Sequence, residues 1–175
     1  MAAAAASAAL LFALAACSSD SPEATPAASE TQAVQVVDEA CADDAGITVA
    51  VDASALDDGD SKEWCIETDE TLAAADALTL VNVTTEGTEE YGDQVVCRVN
   101  GVPAEDLAIA AEDGSDYFET CESMPAAFAY WSLWIKPADG EWGYAEEGLS
   151  TLQLEPGQSL ELLFTLNGEP AAPTS

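Results

Sequence analysis

Ile47-Thr48-Val49-Ala50-Val51-Asp52 decides how the chain is read. Its residues alternate with a period of two, which places Ile47, Val49 and Val51 on one side of an extended strand and Thr48, Ala50 and Asp52 on the other. The turn cluster Asp57-Asp58-Gly59-Asp60 follows, then a short run through Trp64, Cys65 and Ile66, so the pair reads as a hairpin. Next, Thr68 or Asp69 can cap a helix carrying Leu72, Ala75, Ala77, Leu78 and Leu80 on one side. Gly87, Gly92 and polar neighbours make a loop, Gln94 to Asn100 alternates again, and Asn100-Gly101 is a turn signal. Residues 104–127 are acidic and irregular and read as a long loop held by Cys121, with one helical turn near Leu107. Phe128 to Ile135 is an aromatic strand, and after Pro156-Gly157 the alternation of Leu160, Leu162, Phe164 and Leu166 closes the chain. Two strands, one helix and three or so further strands predict an α+β fold, a mixed sheet with one helix packed on one face.

The 175 residues include 34 acidic side chains, 3 basic ones and no histidine, for a formal charge of -31. So negative a surface repels nucleic-acid phosphates and anionic lipid headgroups, which are bound through Lys and Arg. Without imidazole, Ser-His-Asp and Cys-His catalysis and His-ligated metal sites are excluded within this chain. The length fits one folded domain.

At the N-terminus, Ala2 to Ala16 are small and apolar apart from Ser7, and end in Leu14-Ala15-Ala16-Cys17 before the polar run Ser18-Ser19-Asp20. This resembles a bacterial lipoprotein signal with its lipobox, although the first positions lack the usual Lys or Arg. The resemblance implies a signal peptide at 1–16, and cleavage that leaves the Cys17 thiol for a diacylglycerol, palmitate-type membrane anchor. Residues 17–40 then form an acidic, flexible linker with a reach of roughly 25 to 30 Å, placing the domain on the outer face of the cell membrane. The folded domain is expected at 41–167 and a loose tail at 168–175.

Cys41, Cys65, Cys97 and Cys121 remain, an even number in a chain read as exported, which favours two disulfides. Sequence alone does not choose among the three pairings. We expect Cys41 with Cys65 and Cys97 with Cys121, because these close loops of equal span. A four-thiolate zinc site would want close C-x-x-C pairs, which the chain lacks.

Eight of the twelve aromatic residues lie between Tyr117 and Tyr144. On a strand through this stretch Trp131, Leu133 and Ile135 point one way while Tyr130, Ser132, Trp134 and Lys136 point the other. One set makes core, and the other, joined by Trp142 and Tyr144, offers a flat apolar surface with polar tips. The competing reading has residues 104–127 fold over that face and bury it.

Val99-Asn100-Gly101-Val102-Pro103, Tyr130-Trp131-Ser132, Gly148 and Pro156-Gly157-Gln158 before a terminal apolar strand resemble the C-terminal domain of transcobalamin and intrinsic factor. The likeness covers about residues 47–166 and extends to small secreted actinobacterial lipoproteins of that class. It implies a β-grasp-like ligand-binding module, of the kind whose relatives cover one face of cobalamin, and a corrinoid or another small molecule as ligand. The large helical domain that completes the corrinoid site in those relatives has no counterpart here.

Catalysis finds no support in the residues. Ser61 and Lys62 diverge as neighbours on a strand, and Ser132 with Lys136 lacks the Ser-x-x-Lys spacing. Counting back from Gly59 or Gly114 puts Ser54 or Ile109 at the first ligand position of an EF-hand loop, so neither loop fits. Arg98, beside Asn100, could anchor an anionic group, against the plainer reading of a salt bridge. The expectation is therefore a non-catalytic extracytoplasmic lipoprotein binding a ligand through Tyr130, Trp134, Trp142, Tyr144, Asn100 and Arg98, with no metal or resident cofactor. The alternative is an envelope interaction or structural module that docks to a protein partner through the same aromatic face.

Overall fold

A computed structural model describes residues 34–42, 45–111 and 113–174. In chain order the elements are β1 (Gln35–Val37), β2 (Ile47–Asp52), β3 (Ser61–Glu67), β4 (Leu72–Ala73), α1 (Ala74–Leu80), β5 (Thr85–Thr88), β6 (Gly92–Val99), β7 (Ile109–Ala110), β8 (Asp116–Tyr117), β9 (Ala129–Lys136), β10 (Gly143–Tyr144), β11 (Gln153–Leu154) and β12 (Ser159–Leu166). Strands with one short helix agree with the α+β expectation.

The alternation at Ile47–Asp52 forms a strand as expected, and the following turn returns it antiparallel into β3, with Asp52 opposite Ser61 and Ile47 opposite Ile66. That turn needs glycine at 59, since a Cβ there would run into the Ala53 carbonyl oxygen. On its other side β2 takes β12 in parallel, Leu160 beside Val49 and Leu162 beside Val51. β9 then runs antiparallel to β12 along its whole length, giving the sheet order β1-β3-β2-β12-β9-β10.

One face of this sheet carries the core. Ile47, Val49, Trp64, Ile66, Leu160, Leu162, Phe164 and Trp131 pack there with Ala74, Ala77 and Leu78 of the helix. Trp131 meets Phe164, its register partner, edge-on at 5.3 Å. Because β2 and β12 are central, their other face is covered too: Thr48, Ala50, Glu161, Leu163 and Thr165 are all buried. The half-buried strand expected at Ile47–Asp52 is thus buried on both sides, as central strands are.

The helix differs from expectation at both ends. Thr68 caps only a turn, accepting the Glu70 N–H at 3.0 Å. Leu72–Ala73 pairs with Gln153–Leu154 and the Ala74 N–H donates to the Leu152 carbonyl, so the helix begins at Ala74. Its buried stripe is Ala74, Ala77 and Leu78, at i, i+3 and i+4, which turns Ala75 and Leu80 out to solvent.

Thr85–Thr88, expected in a loop, pairs with β6, and residues within 104–127 form the small β7–β8 ladder. The disulfides join Cys41 to Cys65 and Cys97 to Cys121, the sequential pairing, with Cα separations of 4.6 and 5.6 Å. Gln35–Val37, placed in the linker by composition, pairs as an edge strand with β3. In the expected tail, Glu169 bridges Leu166, and the Pro170 carbonyl accepts from the Thr165 hydroxyl at 3.1 Å. The expected signal peptide, Cys17 and the linker up to residue 33 lie outside the described residues. Among those described, no helix is long and apolar enough to cross a membrane.

Candidate functional site

The alternation of β9 turns Trp131 to the core and Tyr130, Ser132 and Trp134 to the opposite face. Trp134 is buried there, its indole N–H donating to Ser132 Oγ at 2.9 Å while the Ser132 hydroxyl donates to the Leu163 carbonyl at 3.1 Å. What covers it is Tyr144, its register partner on β10, whose ring stacks on the indole at 4.0 Å and 29°. Burial, and then the neighbouring Tyr130 through its charge and a hydrogen bond, raise the Tyr144 hydroxyl above the ordinary tyrosine range. Trp142 joins the same hairpin with its ring 5.6 Å from the Lys136 ammonium. The fold therefore brings Tyr130, Trp134 and Tyr144 together, with Trp142 nearby in sequence.

Apart from Met124, which lines the cleft beside Tyr144, residues 104–127 pack elsewhere. Ile109 enters the core, Tyr117 meets Phe128 edge-on at 5.4 Å, and Cys121 is bonded to Cys97. These contacts leave the Tyr144 ring open to solvent.

Arg98 and Asn100 serve the β5–β6 hairpin. Arg98 is buried, and its guanidinium donates to the Pro103 carbonyl at 2.9 Å, to Glu86 at 2.9 Å and to the Glu119 carbonyl at 2.6 Å. Asn100 sits at φ 51° and accepts the Thr84 N–H at 2.9 Å. Around Arg98, Glu119 accepts the Tyr117 hydroxyl at 2.6 Å and the Cys121 N–H at 2.7 Å. Burial first, and then this bond to Glu119, push the Tyr117 hydroxyl up to about 12.

Beside the aromatic edge lies a cleft of about 370 Å³ lined by Val96, Met124, Trp131, Leu133, Tyr144 and Leu149 among others. Met124 and Tyr144, each 59% exposed, are the most exposed large apolar or aromatic side chains among the described residues, and both line it. Sequence reasoning missed Met124, Val96 and Leu149, because β6 and the 145–149 segment meet only in three dimensions, where a Cβ on Gly148 would lie 3.6 Å from the Gln94 Cα. The available signal was Met124 itself, a large apolar residue in an acidic loop.

Glu161 was missed as well. It faces Trp134 across the β9–β12 pair and is 3% exposed. Burial, then the carboxylates of Asp52 and Glu63, raise its carboxyl to about 7.

The Lys62 ammonium sits 3.6 Å from Asp38 and 4.9 Å from the Trp64 ring centroid, and Ser132 holds Trp134. Glu86, Cys97 and Cys121 lie close enough for a metal, but the sulfurs are joined to each other and Glu86 pairs with Arg98.

No protein-family model, curated protein or solved structure matches the chain. The functional reading therefore stands on geometry. Of the residues that carry the transcobalamin resemblance, Asn100-Gly101 forms the turn after β6, Tyr130-Trp131-Ser132 lies in β9, and Pro156-Gly157 precedes β12.

Proposed function

We propose that this chain is a non-catalytic, lipid-anchored extracytoplasmic binding protein whose β-grasp-like domain takes a flat small molecule at the Tyr144–Met124 cleft. The fold assignment is supported by the sheet order β3-β2-β12-β9-β10, with an antiparallel first hairpin, a helix after it and a parallel central pair formed by the first and last long strands. The binding assignment is carried by one observation: the two most exposed large apolar side chains among the described residues converge on a single cleft. Its volume, about 370 Å³, falls in the range of small-molecule sites, roughly 300 to 1,000 Å³. Tyr144, stacked on a buried indole, offers a preset ring to a planar ligand. A corrinoid presenting one face, as the transcobalamin resemblance implies, is the first compound to test.

Binding there would quench Trp134 emission and raise the melting temperature of the folded protein. We expect a saturable shift with one member of a panel of cobalamin, cobinamide and planar metabolites, lost in Tyr144→Ala. A folded protein that responds to none of them sinks the ligand reading and leaves the docking module, which crosslinking would recover with its protein partner.

A further inference from the structure

The cleft between Tyr144 and Met124 is apolar where Val96, Leu133 and Leu149 line it, and Tyr144 adds an aromatic ring that is 59% exposed. Its charged lining is of one sign. Asp93 comes from β6, and Glu146 and Glu147 from the segment that follows β10. All three are exposed, and among the described residues no hydrogen bond or ion pair engages their carboxylates. No lysine or arginine lines the cleft.

Acidic surface by itself says little in a chain with 34 carboxylates. The aromatic rings add a second observation. Lys62 lies 4.9 Å from the Trp64 ring centroid and Lys136 5.6 Å from that of Trp142, so both lysines of the chain sit by an indole, whose face attracts a cation. Arg98 is buried against Glu86. Tyr144 offers a face of the same kind, and among the described residues no cation lies over it. Trp134 takes one side of its ring and the other is open. Met124 brings a polarisable thioether to the same cleft. A ligand carrying a carboxylate or phosphate would meet three like charges here and no partner, which costs binding energy.

We propose that the flat ligand of this cleft is an organic cation, a ring system with its positive charge spread over nitrogen, stacked on Tyr144 and faced by Asp93, Glu146 and Glu147. This rests on the flat-ligand reading above and adds the sign of the ligand's charge. A metal ion needs donor oxygens converging at bonding distance, whereas charge spread over a ring does not. Carboxylates act on such a ring from across the cleft, within the roughly 8 Å that physiological salt leaves unscreened. Stacking serves twice, because the π face attracts the charge while the flat body of the ligand excludes water from the ring. The net charge of -31 also gathers cations near the surface and keeps anions away.

Calorimetry of the full chain with three acridines of nearly one shape tests this. N-methylacridinium is a planar cation, acridine is neutral at mildly alkaline pH, and acridine-9-carboxylate is an anion. The expected result is N-methylacridinium binding at least about tenfold tighter than acridine, the carboxylate binding weakest, and saturable binding lost in Tyr144→Ala. Asp93→Asn, Glu146→Gln and Glu147→Gln combined should bring N-methylacridinium close to acridine. Asp57→Asn, Asp58→Asn and Glu70→Gln combined remove the same charge from exposed positions outside the cleft and should keep the full preference. Melting temperatures without ligand show that each variant is folded. Acridine bound as tightly as N-methylacridinium would overturn the cation proposal and leave the flat-ligand reading standing. An equal loss of preference in the two triple variants would overturn it in favour of a diffuse counterion atmosphere. Binding of none of the three would overturn it too, and the cobalamin panel then decides the flat-ligand reading by itself.

Discussion

Arg98 is buried with its guanidinium bonded to the carbonyls of Pro103 and Glu119 and to Glu86, so its role is to lock the β5–β6 hairpin to the 103–121 segment. Arg98→Ala would leave two buried carbonyls without donors, and we expect a loss of about 3 to 5 kcal/mol in chemical denaturation. Glu86→Ala removes only the half-exposed partner and should cost far less. Glu161 gives a prediction of opposite character. Its carboxyl is raised to about 7 in the folded state, above the 4.5 of an unperturbed glutamate. A raised carboxyl contributes stability that is complete below the unfolded pKa and is lost as pH rises through the folded one. Stability should therefore fall between about pH 4.5 and 7 by on the order of 2 to 3 kcal/mol more in the unchanged chain than in Glu161→Gln. Parallel profiles in urea melts would contradict this.

At the scale of elements, the two disulfides do different work. Cys41–Cys65 ties the segment before β2 onto β3, where the Cys41 N–H also donates to Thr48 at 3.0 Å. Cys97–Cys121 fastens β6, which lies outside the main sheet, to the loop that follows β8. Replacing Cys97 and Cys121 together by serine should cost about 3 kcal/mol and raise amide exchange in β5 and β6 ahead of β2 and β12. Uniform exchange across the chain would show that the hairpin is not a separable unit. The long strands were legible because alternation in Ile47–Asp52, Phe128–Ile135 and Leu160–Leu166 is strong, and the equal cysteine spans pointed to the observed pairing. The start of the helix was not, since Leu72–Ala73 is claimed by pairing with β11, some eighty residues away. Nor was the role of Glu161, because a sequence dense in carboxylates hides the one that a central strand buries between two others.

Across the whole molecule, a charge of -31 with three cations leaves few ways to bind other than aromatic and apolar contact or cation capture. Lys62 and Arg98 are committed to Asp38 and Glu86, and Lys136 lies by the Trp142 ring. The cleft at the β9–β10 edge combines these possibilities, with an aromatic ring and a lining of carboxylates. The central claim is that the aromatic cleft takes a small molecule, and the sequence supplies its own reporter, because the chain has only two methionines, Met1 and Met124. The most direct measurement is a methyl NMR titration of methionine-labelled protein with cobinamide and the planar panel. The account predicts a saturable shift of the Met124 methyl resonance that disappears in Tyr144→Ala. A Met124 resonance that stays fixed while the same compound saturates tryptophan emission would place binding elsewhere and contradict it.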